Sequence, residues 1–277
     1  NEQELRHQVN RQIEAGVHGI FPFGTNGEAY ILSEDEKVRI LEIVVEETKE
    51  RVPVYAGTGC ISTKDTIRLS KKAKEIGADI LSIITPSFAA ASQEELYQHF
   101  KAVAEAVDMP IVLYNIPART GNAIAPDTVK RLSKIENIIG VKDSSGNFDN
   151  ILQYIEVTRD REDFKVLSGN DSLILWTLLA GGAGGIAGCA NVYPEVMVSI
   201  YENFMDDKVE KARVAQDSIR SLRKCFRHGN PNTIVKTAVN LLGHPVGKCR
   251  APFNHVPQVC IEELKVVLKE NREAGMR

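Results

Sequence analysis

Lys142 closes an apolar stretch in Ile138-Ile139-Gly140-Val141-Lys142-Asp143-Ser144-Ser145, ending on an amine where a turn residue is usual. Such a run reads as a buried strand, and a lysine at its lip is partly desolvated. Desolvation disfavours the ammonium form and leaves a fraction of free amine near neutral pH, the form that attacks a carbonyl to make an imine. A strand-end lysine snorkelling into water fits the same stretch, so the choice rests on what the rest of the chain places beside it.

Other polar and glycine residues gather at Gly24-Thr25-Asn26-Gly27-Glu28, Gly57-Thr58-Gly59, Thr85-Pro86-Ser87, Asn115-Ile116-Pro117, Gly169-Asn170-Asp171 and Ala190-Asn191. Each cluster follows a short apolar run, and the runs 19–23, 52–56, 79–85, 110–116, 138–142, 164–168 and 185–189 recur at the spacing of one helix plus one strand. That alternation is the signature of βα units on a parallel sheet, and in a (β/α) barrel the C-terminal strand ends carry the active site. Strand-to-helix loops need turn and cap residues in any case, so the convergence of seven such loops carries more weight than any one. Amphipathic stretches 33–49, 63–76, 92–106 and 126–132 lie between the runs; Ser33-Glu34-Asp35-Glu36 has the capping-box form, and Pro126 and Pro194 suit first helical turns. Beyond 194 the strand signals stop, and breaks are expected near Gly229-Asn230-Pro231 and Gly243-His244-Pro245. The pattern gives a barrel domain over 1–193 and a helical region over 194–277. The first helical stretch, 2–15, has no strand before it, and seven strands are one short of a closed barrel. The first strand is therefore expected to be missing from this chain, with the natural protein starting roughly 15 to 20 residues earlier.

A length of 277 residues with 43% hydrophobic content supports one large barrel or two domains. A net charge of -3 with interspersed signs excludes a polycationic nucleic-acid surface. Cys60, Cys189, Cys225, Cys249 and Cys260 are odd in number and widely spaced, which signals neither a disulfide framework nor a zinc site and fits reduced thiols in a cytoplasm. No run is long enough to cross a bilayer, and no leader pattern opens the chain, so a cytoplasmic protein without membrane contact is expected. His7, His18, His99, His228, His244 and His255 form no metal-spaced pair in the sequence, and no metal is expected. Gly182-Ala183-Gly184-Gly185-Ile186-Ala187 satisfies the loose dinucleotide pattern but precedes a strand where the pattern must follow one, so it implies no nucleotide.

Four ordered motifs then carry a resemblance: Gly24-Thr25-Asn26-Gly27-Glu28, Tyr114-Asn115-Ile116-Pro117-Ala118-Arg119-Thr120-Gly121, Gly140-Val141-Lys142 and Leu167-Ser168-Gly169. Over nearly its whole length the chain resembles the dihydrodipicolinate synthase and N-acetylneuraminate lyase superfamily. The resemblance implies an α/β (β/α)8 TIM barrel with a C-terminal helical region, assembled as a homo-oligomer, tetramer or dimer. It implies a class I aldolase-type lyase in which Lys142 forms an imine with pyruvate and needs no metal or organic cofactor. By the same resemblance Tyr114 is the general acid and base, and Thr25 relays protons to it. The amides of the 25–27 turn, Asn26 included, face the pyruvate carboxylate, and the backbones of Gly169 and Ile186 line the pyruvate pocket. Arg119 matches the arginine that synthases use to hold the carboxylate of aspartate semialdehyde, a group that guanidinium grips bidentately.

Departures from the synthase pattern keep substrate choice open. Phe88 stands where synthases carry a tyrosine that crosses a subunit interface, and it has no hydroxyl to pass a proton. Asn26 replaces a second threonine, and Ala89-Ala90-Ala91 replaces polar and proline residues. The cleft that binds feedback lysine in some relatives matches Ala29, Tyr30, Glu34, Lys37, Ile61, Asp65 and Ser87, mostly the wrong side chains, so no inhibition by lysine is expected. The favoured activity is a synthase of lysine biosynthesis that condenses pyruvate with aspartate semialdehyde. The alternatives are an aldolase that releases pyruvate from a 2-keto-3-deoxy sugar acid or related hydroxy-keto acid, and a non-catalytic keto-acid-binding protein.

Overall fold

The structure is a computed structural model that describes residues 1–276. The chain divides into two units, one formed by Pro53–Ile186 and the other by Asn1–Val52 with Ala187–Arg277.

The first unit is built on a six-stranded parallel sheet: β1 (Tyr55–Gly57), β2 (Ile80–Ile84), β3 (Ile111–Asn115), β4 (Ile138–Asp143), β5 (Lys165–Ser168) and β6 (Gly184–Gly185). The strands lie side by side in chain order, each hydrogen-bonded in parallel to the next. Helices Thr63–Ile76, Gln93–Ala106, Pro126–Leu132, Phe148–Val157 and Ile174–Leu179 fall between successive strands, supplying the crossovers that parallel pairing demands. Leu81, Ile83, Ile111, Leu113, Ile138 and Val141 are fully buried. Strands sequestered in this way read as continuous apolar runs without alternation, which is why they stand out in the sequence. The helix Gln93–Ala106 begins at Ser92, whose hydroxyl accepts from the Glu95 amide while the Glu95 carboxylate accepts from the Ser92 amide. That reciprocal box satisfies two of the amides a helix start leaves over, and Leu96, Phe100 and Val103 then turn one face into the core.

The second unit is helical. Its helices Glu2–Glu14 and Glu34–Thr48 are joined by Arg6, which pairs with Glu46 at 2.6 Å and Glu47 at 2.9 Å, and by Asn10, which donates to Glu47 at 2.7 Å. Helices Pro194–Met205, Val209–Ser218, Arg220–Lys224, Pro231–Leu241 and Gln258–Glu273 follow. Both expected breaks are present: Gly229 precedes the helix at Pro231, and Gly243 follows Leu241 with φ at 98°.

Two expected strands differ. The run 19–23 forms no strand among the described residues; Ile20 makes only a single bridge. Pro22 has no amide to give a ladder, and Phe23 sits at a φ of 64°, a left-handed backbone that ends a strand. The run 185–189 shrinks to Gly184–Gly185, and Cys189 already opens a 3-10 turn, Cys189–Asn191. The described sheet thus holds six strands where seven runs led one to expect seven.

Candidate active site

Strand β4 delivers Lys142, and its register fixes what stands beside it. Tyr114 on β3 is level with Lys142, and Asn115 is level with Asp143. On the other side Leu167 of β5 pairs with Lys142 and Ser168 with Asp143. Side chains alternate along a strand, so Tyr114 and Lys142 share one face of the sheet. Lys142 is only 5% exposed, Tyr114 is also buried, and the lysine Nζ lies 3.9 Å from the centroid of the tyrosine ring.

Burial pushes the Lys142 amine below the ordinary lysine value, against the charge and hydrogen bond of Tyr114 and the charge of Asp171, which draw it back up. A lowered value enlarges the fraction of neutral amine, the form that can attack a carbonyl, and the phenol beside it can give or take a proton. Asp171 opens the 3-10 turn Asp171–Leu173 just after β5 and is buried.

Asp143, the next residue on the strand, holds this end of β4 in place. Its Oδ2 accepts from Asn115 Nδ2 and Asn150 Nδ2, each at 2.7 Å, and its Oδ1 accepts from the Ser145 amide at 3.0 Å. The Ser145 hydroxyl donates to the same Oδ1 at 2.5 Å. A buried carboxylate with four donors is compensated for its lost hydration, and it clamps β3, β4 and the following loop together.

Gly169 lies against the lysine. A Cβ there would come within 2.8 Å of Lys142 Cε and 1.9 Å of Ser144 Oγ, so only glycine leaves room for the lysine stem. Ile186 is tied to the same corner by its amide, which donates to the Ser168 carbonyl at 2.8 Å. Arg119 is exposed on the short helix Pro117–Thr120 that follows β3. Beyond that helix, Asn122 is buried and donates to the carbonyls of Pro86 at 2.9 Å and Ala89 at 2.8 Å. It also accepts from the Ala91 amide at 2.8 Å, so it shapes the loop that carries Phe88.

Thr25 and Asn26 belong to the helical unit. Thr25 is half-buried and Asn26 exposed, in a pair of tight turns where the Gly27 amide donates to Gly24 at 3.0 Å and the Glu28 amide to Thr25 at 3.2 Å. Asn232 Nδ2 donates to the Thr25 carbonyl at 2.6 Å. Buried Glu28 pairs with Lys236 at 2.7 Å and accepts from the Arg250 amide at 2.8 Å. The loop is thus anchored to residues more than 200 positions away.

Lys142, Tyr114, Gly169 and Ile186 accordingly come together at the ends of β3 to β6, with Arg119 on the helix leaving β3. Sequence reasoning named Asn115, Asp143 and Asp171 only as loop or motif residues without a role of their own, and it missed Asn122. The only signal for the first three was their position at the ends of apolar runs; Asn122, beyond the helix Pro117–Thr120, had none.

Comparison with known proteins agrees with the resemblance. The chain is 43% identical over 272 residues to the 4-hydroxy-tetrahydrodipicolinate synthase of Methanopyrus kandleri, an alignment that covers 98% of this chain and 90% of that protein. A dihydrodipicolinate synthase from Acinetobacter baumannii, solved in complex with pyruvate, superposes with a TM-score of 0.94 at 33% identity, covering 98% of this chain and 93% of the other. A pyruvate-bound prophage protein of E. coli K12 from the dihydrodipicolinic acid synthase family gives a TM-score of 0.94 at 31% identity, covering 98% and 93%. The model of the dihydrodipicolinate synthetase family matches residues 1–271, and the chain belongs to that family.

Proposed function

We propose that the chain is a class I aldolase-type lyase that condenses pyruvate with aspartate semialdehyde, a 4-hydroxy-tetrahydrodipicolinate synthase, with Lys142 as its nucleophile. The observation that carries this is the buried Lys142 amine, held below its ordinary pKa at the end of β4 and set 3.9 Å from the ring of Tyr114. The neutral amine attacks the ketone carbon of pyruvate, and the carbinolamine loses its oxygen as water to leave the imine. The imine withdraws electrons from the methyl group, which gives up a proton to form an enamine. The enamine carbon bonds to the aldehyde carbon, which restores the imine, and the new alkoxide takes up a proton; the amine of the semialdehyde then adds to the imine carbon and expels the Lys142 amine, closing the ring and freeing the lysine. Tyr114 gives and takes the protons at the lysine end, and Thr25 relays them. Asn26, Gly169 and Ile186 contact pyruvate, and Arg119 grips the semialdehyde carboxylate. The lysine is its own electron sink, so no metal or organic cofactor is required.

The same reading includes a (β/α)8 barrel over 1–193, a helical region over 194–277, a cytoplasmic setting and a homo-oligomer. The relatives' names and the pyruvate in two similar structures support pyruvate as the first substrate. Phe88, which lacks the hydroxyl of the synthase tyrosine, favours a second reading: an aldolase that releases pyruvate from a 2-keto-3-deoxy sugar acid. Borohydride reduction in the presence of pyruvate, followed by peptide mapping, tests the shared chemistry and is expected to place a pyruvate-sized adduct on Lys142. Its absence from folded protein removes both readings. Turnover of aspartate semialdehyde against keto-deoxy sugar acids then separates them.

A further inference from the structure

Glu4 and His7 lie three residues apart on one face of the helix Glu2–Glu14, and the loop after the helix Pro231–Leu241 brings His244 onto them. One nitrogen from each ring and one carboxylate oxygen all lie within 4.8 Å of one another. His7 Nε2 and His244 Nδ1 are 3.2 Å apart. Two ligands on a tetrahedral zinc ion, with bonds of about 2.0–2.1 Å, stand about 3.3 Å from each other. The separation of the two nitrogens is thus already that of two ligands on one cation. Gln8 donates to Glu4 Oε1 at 2.6 Å, which leaves Oε2 to the cation. We propose that Glu4, His7 and His244 form a divalent metal site, best suited to zinc, which clips the first helix of this chain to the 243–245 loop 237 residues away.

Imidazole and carboxylate ligands suit zinc, and a fourth position remains for water. Metal requires the neutral ring. Arg11 opposes a metal as it opposes a proton, but its side chain is engaged elsewhere: Nε donates to Gln8 at 2.9 Å, and another nitrogen bonds the Asn191 carbonyl. None of the three residues takes part in the imine chemistry, so the site is a structural clip outside the proposed reaction. Spacing in sequence hides it, since the two histidines are brought together only by the fold.

The test is calorimetric titration of zinc chloride into the full chain freed of metal with EDTA, repeated on the His7→Gln, His244→Gln double variant. One strong equivalent is expected in the parent, weakened at least about tenfold in the variant, with a zinc-dependent rise in Tm confined to the parent. Cobalt substitution should give d–d bands without thiolate charge transfer. If the variant does not fold, diethylpyrocarbonate footprinting of the parent decides: zinc must protect His7 and His244. No binding at millimolar zinc, equal binding by parent and variant, thiolate bands, or no protection overturns the proposal.

Discussion

Lys142 is at once the most useful and the least comfortable residue of β4. Its amine binds a proton more weakly in the folded chain than at the ordinary value of 10.5, so in the window between the two the unfolded chain carries the extra proton. Lowering the pH through that window therefore removes stability. Lys142→Met keeps the stem and discards the titration. It is expected to yield no borohydride-trapped adduct and to unfold at higher urea than the parent at neutral pH, with the advantage shrinking as pH rises toward 10.5. A parent more stable than the variant at neutral pH would mean that the ammonium is well compensated where it stands. Gly169→Ala probes the same side chain by space: the added methyl would sit 2.8 Å from Lys142 Cε and displace it. A shift of an ångström in a reacting group costs about a hundredfold, so kcat/KM should fall by that order while adduct formation slows in parallel. A variant with parent kinetics would show that the lysine has slack.

Among the elements, the helix Gln93–Ala106 shows both what a sequence displays and what it hides. Its start is written locally, in Ser92 and Glu95, as the start of Glu34–Thr48 is written in Ser33 and Glu36. Strands β2 to β5 were legible for an equally local reason, an unbroken apolar run. The run 19–23 was misleading because its hydrophobicity was strand-like while Pro22 and the positive φ of Phe23 were not. Asp143 could not be given its role, because the donors that define it, Asn115 and Asn150, stand 28 and 7 residues away and meet it only through the parallel register. The same helix buries His99, whose Nδ1 meets the Thr63 hydroxyl at 2.9 Å while Nε2 has no hydrogen-bond partner. Burial holds this imidazole down to about 4 from 6.5, so the folded state resists a proton that the unfolded state accepts. Stability is complete above about 6.5 and is lost as pH falls toward 4, by up to about 3 kcal/mol from this group. His99→Gln, which can still meet Thr63 but cannot titrate, should flatten that part of the urea-midpoint profile. Equal slopes for variant and parent between pH 6.5 and 4 would place the acid sensitivity elsewhere.

At the scale of the molecule the telling residue is Phe88, which is 99% exposed and has a φ of 79°. A phenylalanine there is doubly unfavourable in an isolated chain: its ring meets water, and its backbone lies in the left-handed region where a bulky residue is strained. Its loop is nonetheless fixed, through the three bonds from Asn122 to Pro86, Ala89 and Ala91. A rigid loop that presents an aromatic ring to solvent is built to place that ring against another surface, and in the proposed homo-oligomer the surface is a second copy. Burying a phenylalanine is worth about 1.5–3 kcal/mol, roughly ten- to a hundredfold in an association constant. Sedimentation velocity over a dilution series should therefore show Phe88→Ser dissociating at concentrations at least about tenfold higher than the parent, with unchanged circular dichroism. Phe88→Leu, which keeps apolar area, should fall between the two. Coincident dissociation curves for all three would mean that the ring does not face a partner copy.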